Sequence, residues 1–311
     1  MADIVISEFM DEAAVDGLRG EFDVLYDPGL VDRPVELVGE LFGARGLIVR
    51  NRTQVRNELL AAAPRLVVVG RLGVGLDNID VAACEARRIA VHPATGANDL
   101  SVAEYVVTAS LMLLRGAWLS TGDVLAGQWP RGRLMGRELS GRLMGLVGFG
   151  SIAREVAARA RALGMEVVAS DPYVPADSSV WQGVARMDLD GLLAAADVVS
   201  LHVPLVDETR HLISAEAVAR MRPDAVLINA ARGGVVDEKA LAAALREGRL
   251  AGAALDVFET EPLTREAAAV FSGVPNLILT PHIAGVTQES NVRVSELIAR
   301  RVRGSLLASP G

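Results

Sequence analysis

Residues 143–153 read LMGLVGFGSIA: an apolar run, a glycine-rich turn and the first residues of an Ala- and Arg-rich segment. We expect a buried strand, a tight turn and a helix in that order. The spacing Gly148-x-Gly150-x-x-Ala153 matches the dinucleotide-binding fingerprint, with alanine in the third position. Gly148 permits the turn, Gly150 lets the backbone approach a pyrophosphate, and Ala153 allows close packing of helix against strand. The pyrophosphate would lie at the helix N-terminus, where backbone N–H groups can bind it.

An acidic residue follows the next apolar run of the chain. Asp171 comes directly after residues 166–170, and its carboxylate could accept hydrogen bonds from the adenosine ribose hydroxyls. The same carboxylate would repel a 2′-phosphate, and no Arg or Lys immediately follows it. A turn-forming role before Pro172 is the alternative interpretation. Strand, turn and acid together favour a bound dinucleotide, NAD rather than NADP.

Short apolar runs rich in Val and Ile alternate with helical segments along the chain, which indicates parallel sheets covered by helices on both faces. The predicted strands are 4–6, 24–26, 47–49, 66–69 and 89–91 in a first array, and 143–147, 166–170, 198–201, 225–228, 253–256 and 277–279 in a second. The fold class is therefore α/β, with two doubly wound parallel-sheet lobes.

Two helices set the expected domain boundaries. An apolar helix from Ser101 to about Leu119, whose Ser-x-x-Glu start reads as a capping box, would link the lobes. A last helix over residues 288–307 follows the final strand of the second lobe and is expected to return to the first. The predicted domains are residues 1–98 with 285–311, and residues 99–284.

Composition excludes some classes of partner. The net charge is −8, whereas a nucleic-acid-binding protein needs a basic face. The single cysteine, Cys84, cannot form an internal disulfide, and we expect it to be a core residue in a reducing compartment. No apolar stretch reaches the roughly 18 residues of a membrane span, and the N-terminus does not resemble a targeting peptide. We predict a cytoplasmic protein with no membrane partner and no metal.

Polar residues follow three later strands, where ligands bind in open α/β sheets. They are Arg232, the carboxylates Asp256, Glu259 and Glu261, and His282. An arginine fork can hold a carboxylate and polarise the adjacent carbonyl. A histidine can donate a proton to the oxygen of a carbonyl undergoing reduction, or take it back during oxidation. A carboxylate beside that histidine would orient the ring and favour its protonated form.

Each of these residues has a plainer interpretation. His282 could satisfy loop backbone, Arg232 could be a solvated loop residue, and Asp256 could cap a turn. His202 also follows a predicted strand and is the main rival to His282 as the acid/base.

Six segments together resemble the D-isomer-specific 2-hydroxyacid dehydrogenase family, in its phosphoglycerate dehydrogenase-like branch. They are GRLGVGLDNID (70–80), SVAE (101–104), the glycine turn, NAARG (229–233), DVFETEP (256–262) and PHIAG (281–285). Their order matches the family and they span nearly the whole chain.

The resemblance implies hydride transfer between NAD and a 2-hydroxy acid, with Arg232, Glu261 and His282 as catalytic residues. It also implies a flavodoxin-like substrate domain beside a Rossmann NAD-binding domain, and a homodimer built on the helix near Ser101. The implied cofactor contacts are Gly148, Gly150, Ser151, Ile152, Asp171, His202, Pro204, Ala230, Arg232, Asp256 and His282. The implied substrate contacts are Arg52, Arg71, Val74, Gly75, Arg232 and His282.

The substrate is less constrained. Arg52 and Arg71 follow first-lobe strands and could bind a phosphate or sulfonate tail, or could be solvated surface arginines. Residues 8–11 and 27–31 resemble those of sulfolactate-oxidising members, so sulfolactate ranks first and 3-phosphoglycerate second. Glycerate/hydroxypyruvate and lactate-type acids stay open, as does a non-catalytic NAD-sensing protein. Because the chain stops soon after its last helix, we expect no serine-regulated domain of the kind found in longer phosphoglycerate dehydrogenases.

Overall fold

A computed structural model describes residues 2–308. Its strands are β1 (Ile4–Ile6), β2 (Val24–Tyr26), β3 (Gly46–Val49), β4 (Val68–Arg71), β5 (Ala90–Pro93), β6 (Leu143–Val147), β7 (Glu166–Ser170), β8 (Ala185–Arg186), β9 (Val198–Leu201), β10 (Val226–Asn229), β11 (Gly252–Leu255) and β12 (Leu277–Leu279). Its α-helices are α1 (Glu12–Arg19), α2 (Pro34–Glu40), α3 (Asn57–Ala62), α4 (Val81–Ala86), α5 (Asp99–Arg115), α6 (Thr121–Leu125), α7 (Ser151–Ala162), α8 (Leu189–Ala195), α9 (Ala215–Arg220), α10 (Glu238–Arg246), α11 (Arg265–Ala268) and α12 (Gln288–Ala308).

The chain divides into two compact units, each with one parallel sheet. Unit 1 comprises the residues up to Asn98 and those from Val286 onward, and unit 2 is Asp99–Gly285. The unit 1 sheet has the order β2-β1-β3-β4-β5, and the unit 2 sheet has the order β12-β11-β10-β9-β6-β7-β8. The first is the flavodoxin-like order and the second is the Rossmann order with an added strand. The predicted fold class is therefore confirmed.

The strand order reverses between β1 and β3 in unit 1, and between β6 and β9 in unit 2. Such switch points open a crevice at the carboxyl ends of the strands, where ligands bind in this class of sheet. Each unit therefore has one crevice that its own topology creates.

The last helix completes the core of unit 1. An ideal Cβ at Gly70 in β4 would lie 2.5 Å from Ile298 and 2.7 Å from Val302, so α12 rests directly on the bare backbone of this strand. Ile298 and Val302 are fully buried. Helix α12 therefore packs within unit 1.

Two predicted features of the apolar helix were wrong. Helix α5 begins at Asp99, so Ser101 lies within its first turn and is buried, and Ser101 with Glu104 cannot form a capping box. The helix ends at Arg115 rather than near Leu119, because Gly116 adopts a left-handed conformation (φ 58°) that terminates it. No single helix among residues 2–308 is long and apolar enough to span a membrane. Helices α5 and α6, with the short helical turn between them, reach that length only as a pair bent by 66°.

Candidate active site

The glycine turn after β6 has the geometry that its sequence predicts. Gly148 has φ +87°, and an ideal Cβ there would lie 2.7 Å from the carbonyl oxygen of His202, so only glycine fits. A Cβ at Gly150 would meet nothing within 4 Å, which leaves the backbone open to an approaching group. Helix α7 begins at the next residue, Ser151. An open backbone at a helix N-terminus fits the pyrophosphate of a dinucleotide.

Two backbone N–H groups, one in the glycine turn and one just after the strand, fix the side chain of Asp171. One carboxylate oxygen accepts from the Phe149 N–H at 2.8 Å, and the other accepts from the Tyr173 N–H at 2.9 Å. The carboxylate lines a cleft of about 880 Å³ that suits an adenosine group. Each oxygen retains a lone pair for a ribose hydroxyl.

Only some of the predicted cofactor contacts share this cleft. Gly148, Asp171, His202 and Pro204 line it. The other predicted contacts do not, namely Gly150, Ser151, Ile152, Ala230, Arg232, Asp256 and His282. Gly150 ends the glycine turn and Ser151 is the first residue of α7. A pyrophosphate would lie at this helix N-terminus, beyond the cleft.

Arg186 also lines the cleft, and sequence reasoning missed it. Its guanidinium lies 5.2 Å from the ring centroid of Trp181, which stacks on Phe149 at 5.0 Å. Strand β8 contains only two residues, too few to show a periodic pattern in the sequence. The cleft therefore holds both an acid that repels a 2′-phosphate and a cation that could bind one.

Asp171→Ala should shift cofactor preference toward NADP. Removing the carboxylate removes the repulsion of the 2′-phosphate and leaves the Arg186 guanidinium in the cleft. We expect the ratio of kcat/KM for NADP to that for NAD to rise at least about tenfold, equivalent to about 1.4 kcal/mol. Adding Arg186→Ala should reverse part of that gain. A ratio that does not move in Asp171→Ala would exclude the ribose contact.

His202 is a poor candidate for the acid/base. Its Nε2 lies 3.0 Å from the hydroxyl of Ser200, which is fully buried. Burial lowers the pKa of His202 to about 4, so the ring is neutral at physiological pH. A group that does not protonate near neutral pH cannot supply the proton for a reduction.

The same shift predicts acid sensitivity. Between pH 6.5 and pH 4 the unfolded chain protonates His202 and the folded chain does not, so stability falls as pH falls through that window. Because the residue keeps some exposure, we expect His202 to account for a loss of about 1–2 kcal/mol between pH 7.5 and pH 5. Urea unfolding of the cofactor-free protein at both pH values should show a smaller pH dependence in His202→Gln than in the parent. An equal pH dependence in both proteins would contradict the prediction.

His282 and Glu261 form the pair that the sequence suggests. His282 Nδ1 donates to Glu261 Oε2 at 2.7 Å, and Glu261 Oε1 accepts from the Phe258 N–H at 3.0 Å. The imidazole is 42% exposed, so Nε2 is the nitrogen that can meet a substrate. Burial alone raises the pKa of Glu261. The hydrogen bond and charge of His282, the Phe258 N–H and the Arg232 guanidinium outweigh that effect and hold the pKa below its ordinary value.

Arg232 lies in the loop that follows β10, and hydrogen bonds hold this loop in place. The amide of Asn229, which is 1% exposed, accepts from the Ala231 N–H and donates to the Arg232 carbonyl. An ideal Cβ at Gly233 would lie 1.7 Å from the Phe258 carbonyl oxygen, so this loop is pressed against the loop that carries Glu261. The structure thus brings the three predicted catalytic residues into one neighbourhood within unit 2.

Asp256 is a buried carboxylate that braces the loop of His282. It is 1% exposed, and its oxygens accept from the N–H groups of Ile283 and Ala284 and from the Thr280 hydroxyl. The Thr280 hydroxyl also lies 2.6 Å from that of Tyr105. Asp256 therefore fixes the loop of His282, which itself has φ 55°. These contacts agree with the turn-cap interpretation, and the cofactor contact stays a prediction.

The predicted substrate contacts in unit 1 gather at one sheet edge. Strands β3 and β4 pair in parallel through Val49 and Arg71, so Arg52 and the partly exposed Val74 and Gly75 follow their carboxyl ends. Arg52 is exposed and paired with Asp32, a partner that the sequence does not reveal. Arg50, which sequence reasoning passed over, is half-buried beside it and donates to Asn291. Its position directly after a strand is the signal that could have identified it.

Comparisons with known proteins agree with this geometry. A sequence model for one family, "D-isomer specific 2-hydroxyacid dehydrogenase, NAD binding domain", matches residues 107–284. The chain belongs to this family. Hydroxyacid dehydrogenases of this kind include an (S)-sulfolactate dehydrogenase from Chromohalobacter salexigens, which is 60% identical over 98% of this chain and 99% of its own length. A D-3-phosphoglycerate dehydrogenase from Methanocaldococcus jannaschii is 37% identical over 97% of this chain, which spans only 57% of that relative.

A solved structure has a similar fold. D-lactate dehydrogenase from Aquifex aeolicus, complexed with NAD and lactic acid, superposes with a TM-score of 0.87 at 29% identity over 98% of this chain and 96% of its own. This member of the 2-hydroxyacid dehydrogenase family is therefore an NAD-dependent oxidoreductase that interconverts a 2-hydroxy acid and its 2-keto acid.

Proposed function

We propose that this dehydrogenase interconverts (S)-sulfolactate and its 2-keto acid, sulfopyruvate. The observation that carries the proposal is the 60% identity to an (S)-sulfolactate dehydrogenase across 98% of this chain and 99% of the relative. A 3-phosphoglycerate dehydrogenase activity is the second candidate, because such relatives match 97% of the chain at 37% identity.

The arginines of unit 1 support a substrate with an anionic tail. Arg50, Arg52 and Arg71 lie at the carboxyl ends of the adjacent strands β3 and β4. An arginine fork can donate two parallel N–H bonds to two oxygens of a sulfonate or phosphate group. We assign unit 1 as the substrate-binding domain, with Val74 and Gly75 among its substrate contacts.

The chemistry is proposed to proceed on the loops of unit 2. Arg232 would hold the substrate carboxylate and polarise the adjacent carbon–oxygen bond. During oxidation His282 Nε2 would take the hydroxyl proton, and the Glu261 carboxylate would stabilise the resulting imidazolium through Nδ1. When bound, the nicotinamide supplies or accepts the hydride. Gly148, Gly150, Ser151, Asp171 and Pro204 are the residues we assign to hold the dinucleotide.

We also propose a cytoplasmic homodimer formed through α5 and the segment that follows it. This region exposes large apolar side chains, among them Leu125 (84%), Trp129 (76%) and Met135 (82%). Exposed apolar clusters of this kind mark protein interfaces. Light scattering after size exclusion should give twice the mass of the chain. The mass of one chain would refute the dimer.

A substrate panel tests the proposed function. NADH formation should be followed with both enantiomers of sulfolactate, and with 3-phosphoglycerate, glycerate and lactate. We expect the highest kcat/KM with (S)-sulfolactate. A higher kcat/KM with 3-phosphoglycerate would select the second candidate. Activity on glycerate and lactate alone, which have no sulfonate or phosphate group, would refute a substrate with an anionic tail. No turnover of any acid, with NAD still bound, would favour the sensor alternative.

A further inference from the structure

Glu8 is a buried carboxylate at the crevice of unit 1. It follows β1, its side chain is 4% exposed, and strand β3 is the neighbour of β1 across the switch point of the sheet. Its two oxygens accept hydrogen bonds from four consecutive backbone N–H groups. The donors are Arg50 (2.9 Å), Asn51 (3.3 Å), Arg52 (3.1 Å) and Thr53 (2.9 Å).

Consecutive N–H groups that converge in this way form an anion-binding nest. Here the anion is part of the chain, so the nest is already filled before any substrate arrives. Other bonds brace the same loop: Asn78 Nδ2 donates to the carbonyls of Arg50 (3.3 Å) and Thr53 (2.8 Å), and the hydroxyls of Ser7 and Thr53 lie 2.9 Å apart. The N–H groups offset the cost of burying the charge.

The braced loop is the one that carries two arginines. The Arg50 guanidinium lies 5.9 Å from the centroid of the Phe9 ring and donates to Asn291 at 2.9 Å. Burial lowers the pKa of Arg50, and the Glu8 charge opposes that effect. Arg52 extends into solvent and pairs with Asp32. Without an anion in the nest, four N–H groups would lose their acceptor and the loop would lose its fixed shape.

We propose that Glu8 is a positioning residue of the substrate site, which holds the backbone of residues 50–53 so that Arg50 and Arg52 recognise the anionic tail of the substrate. The part of the proposal that concerns the tail rests on the proposed function. The part that concerns the loop, in which Glu8 fixes the backbone of residues 50–53, rests on the contacts of Glu8 alone.

Kinetics test the effect on recognition. In Glu8→Ala we expect the ratio of kcat/KM for sulfolactate to kcat/KM for lactate to fall at least about tenfold, mainly through KM, while the KM for NAD stays unchanged. Glu8→Gln should also lose selectivity, because its NH₂ group would face N–H donors. Sodium formate or acetate should restore selectivity to Glu8→Ala by refilling the nest. Glu40→Ala, at an exposed position on α2, is the matched control.

Proteolysis tests the hold on the loop without any substrate. Trypsin should cleave Glu8→Ala after Arg50 and Arg52 at least about tenfold faster than the parent or Glu40→Ala, and formate should slow that cleavage. Glu8→Gln provides the same test if Glu8→Ala does not fold. Equal cleavage of parent and variants would overturn the proposal, as would unchanged selectivity in a protein that does oxidise sulfolactate. If sulfolactate is not oxidised but cleavage and its rescue behave as expected, the proposed function fails and the role of Glu8 in the loop stands.

Discussion

Replacing His282 with alanine should lower kcat by about 100- to 10,000-fold, the usual contribution of a positioned general acid/base. His282 Nδ1 is held at 2.7 Å by a carboxylate whose pKa lies below its ordinary value, so the partner that orients the ring is ionised at neutral pH. Alanine removes the proton carrier and leaves the glycine turn and the Asp171 cleft intact. Steady-state kinetics should show the loss in kcat, and fluorescence titration should show unchanged NADH affinity.

The chain offers a matched control for this variant. His211 Nε2 lies 3.1 Å from Glu259 Oε1, and both side chains are exposed, so this is a second histidine–carboxylate pair within unit 2. His211→Ala should keep kcat within about twofold of the parent. Comparable losses in the two variants would mean that the chemistry does not depend on the pair formed by His282 and Glu261.

Arg232→Ala should lower kcat/KM for the 2-hydroxy acid by about a thousandfold, in the range expected when one partner of a desolvated charge pair is removed. The substrate carboxylate would lose its fork and Glu261 would lose a favourable positive charge. Arg232→Lys should recover only part of the activity, because an ammonium cannot make the bidentate contact.

The measurement is kcat/KM under conditions of saturating NAD. Arg249→Ala is the control, since that arginine pairs with Glu247 on an exposed surface. Parent-like kcat/KM in Arg232→Ala would exclude this residue from substrate binding.

Local pattern predicted much of the fold. Strands at 4–6, 24–26, 143–147, 166–170, 198–201 and 277–279 match residue for residue, because each is an apolar run bounded by turn-forming or polar residues. The glycine turn was predictable because its conformation depends on the absence of a Cβ. Strand β8 was not, because two exposed residues carry no period.

The candidate site divides in the same way. The strand-end pattern placed Arg232, three carboxylates and His282 at the ligand-binding edge, and the resemblance to the family singled out Glu261 as the partner of His282. The sequence offered Asp256 as a possible turn cap, but its partners were not predictable, since the convergence of the Ile283 and Ala284 N–H groups on one buried carboxylate depends on the fold. Arg186 and the Arg52–Asp32 pair depend on contacts between residues that no local pattern connects.

The packing of α12 on Gly70 also constrains the order of folding during synthesis. Unit 2 has its complete sequence once Gly285 has been translated, whereas unit 1 cannot cover the face of β4 until Ile298 and Val302 have left the ribosome. Because domains generally fold as units when their sequence is available, the second unit encoded should be the first to reach its native core. The amino-terminal unit, although made first, would keep the apolar face of β4 uncovered from the synthesis of that strand until α12 emerges.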